Sequence, residues 1–229
     1  MDPILKIIKI SKDFVFHLRE GTRIKVLDDF SMEFFPGRAT ILTGPSGSGK
    51  STLLRMIYAG YRIPKGNILV RHQNEMVDMA TALPSLIYDI RRHTIGYVSR
   101  FLRVMPGVSV LDTVLEPLLA RRMEVRKAEQ SGRQLLERLN IPENLWHLPA
   151  AAFSGGEQQR INLARGFAAP WPILLLDEPT ASLDPGNRNI AMDLIREAIQ
   201  AGTCIIAVFH DPPDPKEIPG RTIDLSQTA

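Results

Sequence analysis

The spacing of apolar positions changes along the chain, and the predicted element changes with it. Residues 4–10 and 25–35 are rich in β-branched and aromatic side chains in partial alternation, with Gly21-Thr22 as a turn between them. This pattern predicts a small N-terminal antiparallel sheet. Ala39–Thr43 is a short apolar run that leads into a glycine-rich loop, after which Leu53, Leu54 and Ile57 fall at helical spacing. The same alternation returns later. Residues 173–176 form an unbroken apolar run ending in Asp177-Glu178, as expected of a parallel-sheet strand covered on both faces. Residues 187–200 place Ile190, Leu194 and Ile195 on one helix face, and residues 203–209 are again apolar. Strand and helix alternate, which predicts an α/β core with a mostly parallel sheet.

Between these units the period is helical throughout. Leu111, Val114, Leu115, Leu118 and Leu119 follow i, i+3, i+4, i+7, i+8 spacing, and Ser109 with Asp112 offers a capping box at the start. Helix is expected to continue over residues 124–140, with Leu135, Leu136 and Leu139 apolar, so that about 101–152 is a mostly helical insertion. The cluster Arg121, Arg122, Arg126 and Lys127 reads as a solvated helix face.

Composition narrows the function classes. The 229 residues are 44% hydrophobic and 23% charged, and 28 basic against 25 acidic side chains leave a net charge of +3. That near balance offers no electrostatic case for a nucleic-acid partner. Asp2, Lys6 and Lys9 interrupt the first apolar residues, and no later run reaches bilayer-spanning length, so neither a signal peptide nor direct membrane insertion is expected. The single cysteine, Cys204, suits a reducing, cytoplasmic setting as a small buried hydrophobe.

Gly44-Pro45-Ser46-Gly47-Ser48-Gly49-Lys50-Ser51-Thr52 satisfies G-x-x-x-x-G-K-[ST] between a predicted strand and helix. Its glycines let consecutive N–H groups line an anion-binding concavity, to which the helix N-terminus adds partial positive charge. Lys50 is placed to reach the outer phosphates of a nucleoside triphosphate and Ser51 to bind Mg²⁺. Asp177 and Glu178 stand at a strand's carboxyl end, where ligands sit in open α/β sheets. Asp177 reads as a magnesium ligand and Glu178 as the base that accepts a proton from water, set against a plain acidic strand end turning at Pro179.

Phe153-Ser154-Gly155-Gly156-Glu157-Gln158-Gln159-Arg160 would, alone, be a capping box opening a helix. Following the glycine-rich loop and shortly preceding Asp177-Glu178, it makes the sequence resemble the ABC ATPase family from about residue 4 to residue 210. The resemblance implies a P-loop NTPase of ABC type: one cassette over 1–229, with an N-terminal antiparallel β-subdomain and a helical subdomain over about 101–157. It implies ATP and Mg²⁺ as ligands. A second ABC subunit, identical or related, is also implied, with Ser154, Gly155, Gly156, Glu157 and Gln158 facing the nucleotide held by that partner. Asp184 then falls in the segment that communicates across the dimer, although Asp184-Pro185 is equally an ordinary helix start. His210 matches the γ-phosphate histidine. Phe14 falls where an aromatic ring meets adenine, with Phe16 the competing candidate and a core phenylalanine the plain alternative.

At one position the chain departs from the family. After residues 95–99 a glutamine is expected and Arg100 stands instead. Arginine offers five donors and no acceptor, so Arg100 is expected to point away from the metal or to contact a phosphate oxygen, with hydrolysis slowed or differently coupled. Residues 97–106 and 140–148, the signature through Phe167, and Phe209-His210-Asp211 look closely like the ATP-binding L component of the carbon–phosphorus lyase system. That likeness implies a soluble phosphonate-degrading complex, at the step joining a phosphonate to the ribose of a nucleoside triphosphate. The alternatives are the ATPase of a membrane ABC transporter, of lipoprotein-releasing or macrolide-exporter type, and a nucleotide-gated scaffold with little turnover.

Overall fold

The computed structural model describes residues 2–16, 22–103, 106–211, 213 and 217–228. Gly21 of the expected turn lies outside them, as do His17 and the side chain of Phe16. In chain order the elements are β1 (Leu5–Phe16), β2 (Thr22–Phe34), β3 (Ala39–Thr43), α1 (Lys50–Ile57), β4 (Lys65–His72), β5 (Glu75–Asp78), α2 (Pro84–His93) and β6 (Ile95–Val98). Then follow α3 (Val110–Ala120), α4 (Val125–Arg138), α5 (Gly155–Phe167), β7 (Ile173–Asp177), α6 (Pro185–Gln200), β8 (Cys204–Val208) and β9 (Gly220–Asp224).

Two sheets result. The antiparallel one has the order β2-β1-β4-β5, with Leu5 opposite Phe34 and Phe16 opposite Thr22. The other, β6-β7-β8-β3-β9, is parallel at every pairing. Both β7 and β8 are buried along their whole length. Alternation sorts their side chains: Leu174, Leu176, Ile205 and Ala207 pack toward the helical insertion. Ile173, Leu175, Cys204, Ile206 and Val208 pack toward α1 and the antiparallel sheet. Each such leucine or isoleucine stabilises the fold by about 1.5–3 kcal/mol through burial. Because all five strands run the same way, the loops after β3, β7 and β8 emerge on one edge, and the first two are separated by a single strand.

The helical insertion is broken where continuity was expected. Arg122 adopts φ 61 and ends the first helix, and α4 restarts after Glu124. Arg122, Arg126 and Lys127 are exposed, in keeping with a solvated face, but Arg121 is not part of it. Its guanidinium lies 4.2 Å from the Trp171 ring and donates to the carbonyls of Arg92, His93 and Pro170. Two of those carbonyls belong to the last turn of α2, which has no acceptors' partners of its own there. A cation that stacks on an aromatic face and satisfies orphan carbonyls gains more inside than in water.

Among the described residues no helix is long and apolar enough to cross a membrane. Burial pushes the Cys204 thiol up to about 12. Iodoacetamide at pH 8 is therefore expected to leave the native protein unlabelled and to modify Cys204 only in denaturant, because the thiolate is the nucleophile. Mass spectrometry of both samples checks this, and rapid native labelling would contradict the buried placement.

Candidate functional site

The glycine-rich loop leaves β3 with Gly44, Gly47 and Gly49 all at positive φ. Gly49 has no room for a side chain as well: a Cβ there would sit 2.6 Å from Val26 Cγ1 and 2.9 Å from the Val26 carbonyl. As the N-cap of α1 it contributes no side-chain hydrogen bond, and the first turn carries no acidic residue. The helix start is thus left to an external anion. Lys50 Nζ donates to the carbonyls of Gly44 and Pro45, each at 2.8 Å, which folds the cation back over its own loop. Ser46, Gly47 and Gly49 to Thr52 line a cleft of about 330 Å³ whose other walls are Phe14, Ile24, Val26, Arg100, Glu178 and Val208. Phe14 stands edge-on to Tyr61 at 5.6 Å, with Lys12 Nζ 5.2 Å from its ring.

Behind Ser51, Asp177 is 2% exposed and both its oxygens have donors. Ser51 Oγ donates to Oδ1 at 2.8 Å and the Tyr97 hydroxyl to Oδ2 at 3.1 Å. Burial, with the Asp177 charge adding to it, raises the Tyr97 pKa, so the phenol stays a donor. Two hard oxygens therefore meet at the foot of the phosphate loop. No group of three or more His, Cys, Asp or Glu able to hold a metal occurs among the described residues. The donor set fits Mg²⁺, which takes one or two protein oxygens and completes its shell from phosphate and water.

Glu178 leaves the strand abruptly. Its φ is 54, and its N–H donates to the Val208 carbonyl at 2.8 Å. A left-handed non-glycine residue is strained, and here the twist directs the carboxylate into the cleft. Arg100 lies at the same cleft. It contacts the carboxylate, its Nε lying 3.2 Å from Glu178 Oε2. A guanidinium has only donors to offer, and Glu178 is the anion within its reach.

The signature opens α5 as a cap, with Glu157 accepting from the Ser154 N–H at 2.9 Å and from its hydroxyl at 2.7 Å. Those bonds lower the Glu157 pKa. Gln158 Nε2 donates to the Phe153 carbonyl at 2.8 Å. A Cβ on Gly155 would meet nothing within 4 Å, whereas one on Gly156 would lie 2.9 Å from the Ser182 carbonyl. Asp184 caps α6, accepting from the Asn187 N–H at 3.0 Å and from its side-chain amide, which lowers its pKa. His210 is 79% exposed, with Nδ1 3.4 Å from Asp211 Oδ1. A single chain thus gathers the phosphate loop, Phe14, Arg100 and Glu178 at one cleft, with Asp177 joined to it through Ser51. Neither residues 154–158 nor Asp184 and His210 line it.

Two contributors were not foreseen from sequence. Tyr97 orients Asp177, and the buried Gln159 sends its amide to the carbonyls of Pro179 at 2.9 Å and Glu178 at 3.4 Å. The available signal for Gln159 was a polar residue beside the apolar Ile161 on a helix that must pack inward.

Known proteins resemble this chain. The family model described as ABC transporter matches residues 27–181. The lipoprotein-releasing system ATP-binding protein LolD of Maricaulis maris (strain MCS10) is 34% identical over 223 residues, covering 96% of this chain and 91% of its own. The glutamine transport ATP-binding protein GlnQ of Geobacillus stearothermophilus is 31% identical, covering 88% and 81%. A dimeric post-hydrolysis structure of the ATP-binding cassette MJ0796 with ADP and Pi is 26% identical, with a TM-score of 0.79 over 90% of this chain and 88% of that one. With the glycine-rich loop, the paired carboxylates and the signature helix in these places, the chain belongs to the ABC transporter family of ATP-binding, ATP-hydrolysing cassettes.

Proposed function

We propose that this chain closes head to tail with a second ABC subunit, and that each ATP is hydrolysed between Lys50, Ser51, Asp177, Glu178 and His210 of one chain and Ser154 to Gln158 of the other. The observation that supports this reading is a walled cleft in one place and, apart from it, an open-faced Gly155 at a helix start that does not line it. We read 1–229 as one cassette with a helical subdomain near 101–157, working in the cytoplasm.

In this reading Phe14 supplies a face for adenine, and the amides of residues 44–52 hold the phosphates. Lys50 exchanges its two carbonyl acceptors for phosphate oxygens. Ser51 and Asp177 hold Mg²⁺, which when bound neutralises phosphate charge. Glu178 accepts a proton as water oxygen bonds to the γ-phosphorus. The bond to the bridging oxygen breaks, and ADP leaves with the electron pair. Asp184, two residues after the Ser182 carbonyl that a Cβ on Gly156 would approach to 2.9 Å, relays closure. Tyr97→Phe is expected to raise the Mg²⁺ concentration for half-maximal hydrolysis roughly tenfold, as loss of a partner to a metal-binding carboxylate does. A magnesium titration of both proteins measures it.

The process driven is, in our reading, phosphonate breakdown by a soluble carbon–phosphorus lyase assembly, at the step that attaches a phosphonate to ribose. Support comes from the likeness at residues 97–106 and 140–148. In the second of these, Trp146 is buried and bonded to the Ile141 carbonyl, while in the first Phe101 is 71% exposed. A second reading, the ATPase of a membrane ABC transporter, is favoured by the relatives themselves: LolD is a lipoprotein-releasing protein and GlnQ a glutamine-transport protein. Deletion separates the two. Loss of growth on a phosphonate as sole phosphorus source, with soluble proteins co-purifying, supports the first. Intact growth on phosphonate, with integral permeases co-purifying, overturns it in favour of the second.

A further inference from the structure

We propose that Arg100 is a positioning residue that latches the Glu178 carboxylate away from water until the signature helix moves; the proposal rests on Glu178 being the base of the hydrolysis described above. Three contacts carry it. Arg100 Nε lies 3.2 Å from Glu178 Oε2, and Arg100 is the one ion-pair partner of Glu178 among the described residues. The two are unequal: the Arg100 side chain is 55% exposed and Glu178 17%, so the base sits in the cleft wall and the arginine covers it from the solvent side. The loop bearing Arg100 is itself tethered. Asn162 of α5 donates to the Ser99 carbonyl at 2.6 Å, and the Ser99 hydroxyl donates to the Phe101 carbonyl at 2.6 Å.

The chemistry follows from what each group can do. A carboxylate oxygen engaged by a guanidinium N–H has one lone pair fewer for the water it must deprotonate. Arginine, with five donors and no acceptor, cannot orient that water itself. The Glu178 backbone is held at φ 54 by the end of β7 and by its bond to Val208, so the side chain cannot withdraw by moving the main chain. Release must come from Arg100. The route is α5, because any shift of that helix pulls on Ser99 through Asn162 and carries the neighbouring guanidinium with it. The Phe101 ring, 5.5 Å from the Arg100 guanidinium, offers a second seat for the cation beside the first. Hydrolysis is thereby tied to movement of the helix that meets the partner's nucleotide, and an isolated cassette idles.

The test compares Arg100→Gln, Arg100→Met and Arg100→Lys with wild type and Glu178→Gln in steady-state phosphate release, alongside ATP dissociation constants in EDTA. Arg100 is exposed, so all three variants are expected to fold. Both neutral variants should raise kcat by about 1.5- to fivefold, the range an ion pair with one exposed member can withhold. KM and the ATP dissociation constant should stay within about twofold of wild type. Arg100→Lys, which keeps a cation but not the planar fork, should gain less than either. If only the glutamine variant is faster, a new amide and not a released carboxylate is responsible, and the latch is overturned. A neutral variant that raises KM places Arg100 on the phosphates and also overturns it. Neutral variants no faster than wild type overturn the latch alone, provided wild type exceeds Glu178→Gln. If wild type and all Arg100 variants match Glu178→Gln, the base assignment falls with it.

Discussion

Glutamine in place of Glu178 is expected to slow ATP turnover by about 10²–10⁴-fold, the contribution of a positioned general base. The change is nearly isosteric, and the left-handed backbone at Glu178 is set by the end of β7 and the bond to Val208, so the variant should fold as wild type. Ser51, Asp177 and Lys50 are untouched, and removal of a negative charge beside the triphosphate favours its retention. Nucleotide should therefore bind, and the closed pair should outlive its normal lifetime. Sizing chromatography with ATP should show a dimer, and single-turnover phosphate release should show the rate loss. A loss below about tenfold would mean that another step or another group governs the rate.

Aspartate in place of Gly155 should abolish ATP-dependent pairing while leaving the separate chain intact. A Cβ at this position meets nothing within 4 Å, so the new side chain has room. A carboxylate in the first turn of α5 also suits the positive end of that helix. The melting temperature should move by no more than about 3 °C. In the closed pair the same carboxylate faces the partner's terminal phosphate. At about 5 Å and an effective dielectric of about 20, each unit of phosphate charge is opposed by roughly 3 kcal/mol, about a hundredfold at each of the two interfaces. Analytical ultracentrifugation in the Glu178→Gln background reads this directly. Dimers that persist would remove Gly155 from the nucleotide interface.

Motifs that are contiguous in sequence could be read before any coordinates: the loop 44–52, the carboxylates at 177–178, the cap at 154–157, and the buried strands β3, β7 and β8. What escaped depends on neighbours distant in the chain. The Tyr97 bond to Asp177 spans 80 positions and follows from β6 lying beside β7, which no local period announces. Arg100 and Glu178 meet for the same reason. Strand β5 and helix α2 have weak periodic signals, since β5 has no buried residue and α2 buries only Ile90. Strand β9 is mostly exposed and is held by pairing with β3, not by an apolar face. Arg121 misled in the opposite sense, because a charged cluster does not reveal that one member has an indole and three carbonyls waiting for it.

The amide of Gln159 joins the helix that starts at Ser154 to the carbonyls of Glu178 and Pro179. In the closed pair proposed above, each chain would serve one nucleotide with its base and the other with its signature. That single buried side chain makes the two services inseparable: tilting the signature toward the neighbour's ATP shifts the peptide on which the chain's own base is mounted. Occupancy at one interface would then be felt at the other, and cooperative turnover is the expected result. Leucine in place of Gln159 should lower the Hill coefficient for ATP toward about 1, leaving two cassettes that hydrolyse without consulting each other.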